Sequence, residues 1–249
     1  MPARGRRLAA LVRHGRFPRP EGVASAHLPL PLTPEGRGHA RDAGLQIARI
    51  AREHGIELDE TIESSQLLRA HETAIVVAET LAEETGRSFE VVDRDDMLER
   101  GLGSCANLRF DEIEAVLAAD DRLDPLPEGW RRIPDFRLPV PGAESQMDAG
   151  RRTAARIDGS LAAMPDGPED RMRIFVAHGG CLRHASVVKG ALSIDRVTQV
   201  TMDYGQVVAV ERLPDGSWRR AIGEWKERIP STAPAAPPSG TSTEGDARR

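Results

Sequence analysis

The sequence predicts an α/β protein with a largely parallel sheet covered by helices on both faces. Three features predict it. Short apolar runs alternate with longer stretches of helical periodicity along most of the chain. Two of those runs, 8–12 and 172–177, lead to a histidine followed by glycine, as Arg13-His14-Gly15 and as His178-Gly179-Gly180. The chain has 249 residues, 39% of them hydrophobic, which suffices for a core at this length.

Taken in order, residues 8–12 read as a buried strand. In "LTPEGRGHARDAGLQIARIAREHG", Thr33 stands at the N-cap, Pro34 at the first helical position and Gly55 at the stop. Ala43, Ile47 and Ile50 fall at helical spacing and give this helix an inward face. A weaker strand is expected around 60–64. The helix of "LLRAHETAIVVAETLAEETG" follows, ending near Gly86, and then a strand over 89–93. Residues 99–142 read as irregular. A helix near 144–164 begins at Glu144 or Ser145, and the second buried strand, 172–177, feeds a helix through "RHASVVKGAL". "GQVVAVERLPDGSWRRAIG" alternates around Asp215-Gly216, a hairpin signal. Residues 230–249 are rich in Pro, Ser, Thr, Ala and Gly and carry no aliphatic or aromatic side chain larger than Ala. Such a segment buries too little to offset ordering entropy, so a disordered tail is expected after a single domain over 1–229.

Composition excludes several function classes. A formal net charge of −5 leaves no basic footprint for nucleic acid. Cys105 and Cys181 lie far apart and form neither a disulfide framework nor a zinc spacing. No apolar run approaches the roughly 18 residues of a membrane span. The basic start leads only into 8–12, shorter than the core of an export signal. The expectation is a cytoplasmic protein with neither membrane nor nucleic-acid partners.

In open parallel sheets, ligands bind beyond the carboxyl ends of the strands, where Arg13-His14 and His178 both stand. A histidine there can attack phosphorus and form a covalent intermediate. The attacking nitrogen must be bare, so the other ring nitrogen should donate to a fixed acceptor such as a backbone carbonyl. Guanidinium forks suit phosphoryl oxygens, and a carboxylic acid must protonate the leaving oxygen. Arg13, Arg69, His178 and Glu99 supply candidates, while Gly15, Gly179 and Gly180 let backbone approach a ligand. Spacing alone does not bring these groups together.

A resemblance does. "LVRHG" at 11–15 resembles the signature of the histidine phosphatase superfamily, the phosphoglycerate-mutase-like group of branch 1 type. "LPLTPEGRGHARDAG" at 30–44 resembles its "PLTxxGxxQA" helix start, and "SSQLLRAHETA" at 64–74 its "SxLxRAxxTA" segment. "MLERGLG" at 97–103 is similar to its "LxExxxG", "PGAES" at 141–145 to "PGGES", and "VAHGGCLRH" at 176–184 to "HGGxxR". The resemblance covers roughly 8–212. It implies a three-layer α/β/α sandwich with a mostly parallel central sheet. It also implies His14 as the nucleophile that becomes phosphohistidine, Glu99 as general acid, and Arg13, Arg69 and His178 around the phosphoryl group, with Gly15 and Gly179 lining it. No metal and no cofactor are implied; the partner is a small phosphorylated metabolite.

The chain departs from the family pattern after its first motif, where "RFPRPEGVASAHLPL" contains no Asn and adds Arg16, Arg19 and His27. The segment 104–140 is shorter than the insert of glycolytic mutases, and "HGGCLR" replaces their "HGNSLR". Both differences favour a phosphatase over a phosphoglycerate mutase. A catalytically silent anion binder of the same fold is the remaining alternative, although a pure binder has no need of Glu99. Ser64 and Ser65 read as caps, Cys181 as packing, and His39, His54 and His71 as solvated. Arg100 reads as a partner of Asp95 or Asp96. Arg183 falls between pocket rim and helix surface, and Glu144 and Ser145 between a site role and a capping pair. Trp130, Arg131 and Arg132 fall where the leaving group would be read. The identity of the ester and the oligomeric state stay open.

Overall fold

The computed structural model describes residues 5–229. Its central strand, β1 (Arg7–Arg13), has no exposed side chain between 8 and 12. Leu8, Ala10 and Val12 enter one hydrophobic core, and Ala9 and Leu11 enter another on the opposite face. A strand covered on both sides must be apolar at every position. That is why 8–12 reads as a continuous run instead of alternating.

β1 lies parallel to β4 (Arg171–Ala177). β4 pairs in parallel with β2 (Glu57–Ser65), which pairs in parallel with β3 (Glu90–Arg94). On the other side β1 runs antiparallel to β6 (Val207–Arg212), and β6 to β7 (Trp218–Ile222), across the hairpin expected at Asp215-Gly216. The order is β3-β2-β4-β1-β6-β7. The carboxyl ends of β2, β4 and β1 are therefore neighbours.

Helices α1 (Pro34–His54) and α2 (Leu68–Thr85) cover one face. The Thr33 hydroxyl accepts from the Gly36 N–H at 3.0 Å, and Gly55 and Gly86 close the two helices with φ of 63° and 69°. On the other face lie α4 (Gln146–Ala162) and α5 (Gly179–Val188). Ser145 caps α4 in a reciprocal box with Asp148. These layers make the expected α/β/α sandwich.

The segment read as irregular contains one α-helix. Residues 110–118 form α3 (Phe110–Ala118), whose Ile113 and Leu117 join Leu102, Trp130 and Leu138 in a third, smaller core. Bridges Leu102–Ala143 and Val23–Arg109 tie this cap to the body. The strand expected at 60–64 extends over 57–65, and α5 starts at Gly179, ahead of "RHASVVKGAL". Three further short elements are α6 (Ile194–Val197), and β5 (Val200–Thr201) paired with β8 (Lys226–Glu227). The tail expected over 230–249 lies outside the described residues. Among the described residues no helix is long and apolar enough to cross a membrane.

Glycine sets how closely α4 and α5 pack. A Cβ on Gly150 would stand 2.6 Å from the His184 Cβ and 2.7 Å from its carbonyl carbon, whereas one on Gly159 would meet nothing within 4 Å. Gly150→Ala should therefore cost about 1–3 kcal/mol through overpacking. Gly159→Ala, in the same helix, should gain roughly 0.5–1 kcal/mol. Urea midpoints that move in opposite directions check this pair.

Candidate active site

His14 leaves the end of β1 into a buried position, and its backbone N–H donates to the Ala177 carbonyl at 2.9 Å. Its Nδ1 lies 2.7 Å from the Gly15 carbonyl oxygen. A carbonyl only accepts, so this contact places the ring proton on Nδ1 and leaves Nε2 bare. The Arg69 Nε–H donates to that Nε2 at 3.3 Å. Burial, then the Arg69 and Arg13 charges, hold the imidazole well below its ordinary pKa. His14 is thus a neutral ring with its bare nitrogen among cations.

Arg69 enters on the first turn of α2, 2% exposed. Its Nη2 donates to the Ala26 carbonyl at 2.7 Å and its Nη1 to the Leu28 carbonyl at 3.2 Å. Nη2 also lies 3.1 Å from the His178 Nδ1. Burial lowers the guanidinium to about 10, which leaves it a cation at neutral pH. His178, at the N-cap of α5, has its Nε2 2.9 Å from the Ser65 Oγ. Since Arg69 only donates, Nδ1 accepts and Nε2 carries the proton toward Ser65. Burial and Arg69 hold this ring, too, well below the ordinary histidine value. The two imidazole centroids are 5.0 Å apart.

Arg13 lies over the Tyr204 ring at 4.2 Å and donates through Nη1 to the Met202 carbonyl. Tyr204, the one tyrosine of the chain, is 5.8 Å from the His14 ring and stacks on His39.

Glu99 arrives from the loop after β3. Its Oε2 accepts from the Gly180 N–H at 3.0 Å and its Oε1 from the Arg100 N–H at 2.9 Å. A Cβ on Gly180 would sit 2.4 Å from the Glu99 Oε1. Gly180 is therefore the residue that admits the carboxylate to the start of α5. Arg152 braces the loop behind it, donating to the carbonyls of Asp96, Leu98 and Glu99 while forking onto Glu144 with two contacts of 2.8 Å.

A cavity of about 360 Å³ opens above His14, and Arg13, Arg69, Glu99, His178 and Gly179 all border it. Gly15 does not. A Cβ there would stand 2.2 Å from the Gly36 carbonyl oxygen, so its bareness serves packing against the start of α1, and its own carbonyl orients His14.

The structure also decides the residues left open. Ser65 orients His178 and so does more than cap a helix. Glu144 holds Arg152 and the Gly101 N–H at 2.9 Å, and Ser145 is the cap. Arg183 is buried, donating to the Gly179 carbonyl at 2.8 Å and the Val200 carbonyl at 3.0 Å, and it also borders the cavity. Arg100 pairs with neither Asp95 nor Asp96; Asp96 holds Arg156. Arg19 borders the cavity while Arg16 pairs with Glu35 on the surface, and His27 holds the Glu99 carbonyl. His54 is exposed, but His71 pairs with Asp93 and His39 lies under Tyr204. Burial pushes the Cys181 thiol up to about 12, which makes it a packing residue. Sequence reading missed Tyr204 and Arg152, which no local pattern marks.

The lowered imidazoles fix a sign. His14, His178 and His184, the last brought to about 4 by burial, refuse protons that the unfolded chain accepts below about 6.5. Their contribution to stability is present above the unfolded value and is lost as pH falls. The urea midpoint should be lower at pH 5 than at pH 7.5. Nitrogen NMR at pH 5.5 should still show His14 neutral with its proton on Nδ1; an imidazolium there would contradict the geometry.

Comparison with known proteins agrees with this architecture. A mycobacterial glucosyl-3-phosphoglycerate phosphatase in complex with VO3 shares 26% identity at a TM-score of 0.61, over 87% of this chain and 98% of that one. A second structure, mycobacterial hydrolase 2, gives a TM-score of 0.67 at 23% identity over 92% and 94%. YhfR of Bacillus stearothermophilus gives 0.62 at 22% over 86% and 95%. No curated protein matches the chain. The profile of the histidine phosphatase superfamily, branch 1, spans residues 9–224, and the chain belongs to that superfamily.

Proposed function

We propose that the protein is a phosphatase that hydrolyses a small phosphate monoester through phospho-His14, without a metal ion. The observation that carries this reading is the bare Nε2 of a neutral His14, held toward the same cavity as Glu99 and two buried guanidiniums. The phosphoryl group sits among Arg13, Arg69 and His178. The His14 Nε2 lone pair forms the P–N bond as the P–O bond to the alcohol breaks, and the Glu99 carboxyl gives its proton to the departing oxygen. In the second half Glu99, now a carboxylate, takes a proton from water. The water oxygen bonds to phosphorus, the P–N bond breaks, and orthophosphate leaves with His14 neutral again. The guanidiniums neutralise charge on the equatorial oxygens in both halves.

Two further observations support hydrolysis. The cavity is bordered by Arg19 and Arg228, both exposed, so water has a path to the phosphoenzyme. A mutase needs an intermediate that outlives product reorientation. The mycobacterial glucosyl-3-phosphoglycerate phosphatase, with its VO3 and inorganic phosphate complexes, is a phosphatase on the same fold.

Phosphate release from p-nitrophenyl phosphate should persist in excess EDTA and vanish in His14→Ala. Arg69→Ala should lose on the order of 100-fold or more, the scale of one preorganised donor. Glu99→Gln should lose roughly 10²–10⁴-fold with an alkyl phosphate and far less with p-nitrophenyl phosphate, whose leaving group needs no proton. Metal-dependent turnover, or an active His14→Ala protein, would overturn the mechanism.

A further inference from the structure

We infer that Phe17 and Tyr204 are positioning residues, an aromatic bracket whose ring faces hold Arg69 and Arg13 beside His14, so that the two cations are aimed by partners that carry no charge. This rests on the phosphatase reading above and deepens it with two residues outside the reacting set.

The argument begins with how guanidiniums are held elsewhere in the chain. Away from the cavity, partly buried arginines pair with carboxylates: Arg152 with Glu144, Arg173 with Asp59 and Arg212 with Asp158, each at 2.8 Å. The two nearest the nucleophile are held otherwise. Arg13 lies 4.2 Å over the Tyr204 ring and donates through Nη1 to the Met202 carbonyl. Arg69 lies 4.7 Å over the Phe17 ring and donates to the Ala26 and Leu28 carbonyls and to both imidazoles. Each of these partners is neutral. The carboxylates that act on the pair do so from farther off. Glu99, which acts on both, has its oxygens on backbone N–H groups, and Asp203, which acts on Arg13, pairs with Lys226 at 2.7 Å.

A neutral partner matters at this place. A carboxylate fork would fix an arginine equally well, but it would take two N–H donors and cancel charge that phosphoryl oxygens require. A ring face attracts the cation through its quadrupole, takes no donor and leaves the charge in place. Arg69 shows why this counts. Its Nε–H goes to His14, one Nη1 N–H to Leu28, and the Nη2 N–H groups to Ala26 and His178. Only a partner that asks for no hydrogen bond can steady it further and keep the last donor for a phosphoryl oxygen.

The rings are themselves held. Phe17 is 6% exposed and meets His14 edge to face with centroids 5.4 Å apart, so it supports the nucleophile as well as the cation. Tyr204 stacks on His39, and its loop is tied to Arg13 itself. The Gly205 N–H donates to the Arg13 carbonyl at 2.9 Å, and the Arg13 N–H donates to the Gln206 carbonyl at 3.2 Å. Both rings border the cavity. Phe17 thereby gives a task to the stretch after His14, where the sequence leaves the family pattern.

The test is calorimetric titration of the full chain with inorganic phosphate. Tyr204→Leu and Phe17→Leu should each weaken phosphate binding at least about fivefold, the scale of a desolvated cation–π contact, while Tyr204→Phe, which keeps the ring, should stay within about twofold of wild type. In an Arg13→Ala background, Tyr204→Leu should cost less than about twofold more, because the ring acts through that cation. A full loss that persists there would make Tyr204 a direct ligand or a packing residue and would overturn the bracket. Leucine variants with wild-type affinity would overturn it too. So would a Tyr204→Phe protein as weak as Tyr204→Leu, which would assign the effect to the hydroxyl. If Phe17→Leu does not fold, Phe17→Met, closer in volume, takes its place. Phosphate release by the wild type is read separately. Release together with leucine variants that bind normally removes the bracket and keeps the phosphatase; weakened binding in a protein that releases no phosphate does the reverse.

Discussion

The site depends on one buried cation. Arg69 is locked by two backbone carbonyls, Ala26 and Leu28, and from that anchorage its fork reaches both imidazoles. Because a guanidinium only donates, it dictates that the facing nitrogen of each ring is an acceptor, and the second nitrogens then find Gly15 and Ser65. Burial first, and the Arg69 charge second, keep both rings neutral. One residue thus sets position and tautomer, and adds to the protonation state that burial imposes. Those properties follow from its place on α2, immediately after β2, the strand beside β4.

The acid is held by a different principle. Glu99 lies on a loop, where a carboxylate is ordinarily mobile and solvated. Here its oxygens are caught by two backbone N–H groups, one of them at the start of α5. The loop behind is stitched to α4 through Arg152. The glycine that makes room is Gly180, so "HGG" has two separate tasks: the histidine borders the cavity and the second glycine faces Glu99. The cap closes over this arrangement with its own core of Ile113, Leu117 and Trp130. Leu102 and Phe110 of this cap border the cavity.

What was legible in the sequence was what is local. Thr33, Gly55 and Gly86 act within their own helix ends, and the runs 8–12 and 172–177 are apolar because the sheet is covered twice. His14, His178 and Glu99 were found because each sits in a short distinctive string, and the fold brings all three to one cavity. Contacts between distant segments were not legible. Ser65 meets His178 across 113 residues, and a serine before a helix looks like a cap in any sequence. Tyr204 lies in a loop whose sequence gives no sign that it will carry Arg13. α3 had a signal in Ile113 and Leu117, four apart, but nine residues among prolines and charges do not separate themselves from a loop.

The charge distribution sets where the protons of the reaction reside. Both imidazoles are held neutral by burial and by neighbouring arginines, so neither serves as a proton store near neutral pH. The positive field in the cavity comes from guanidiniums, which keep their charge across the working range. Anion binding then does not switch off as the imidazoles would otherwise titrate, and the nucleophile does not lose its lone pair in mildly acidic solution. In the proposed mechanism the group that carries a proton in and out is Glu99. Under that proposal, separating the fixed charges from the mobile proton would let one carboxyl group serve the leaving alcohol in the first half and the attacking water in the second.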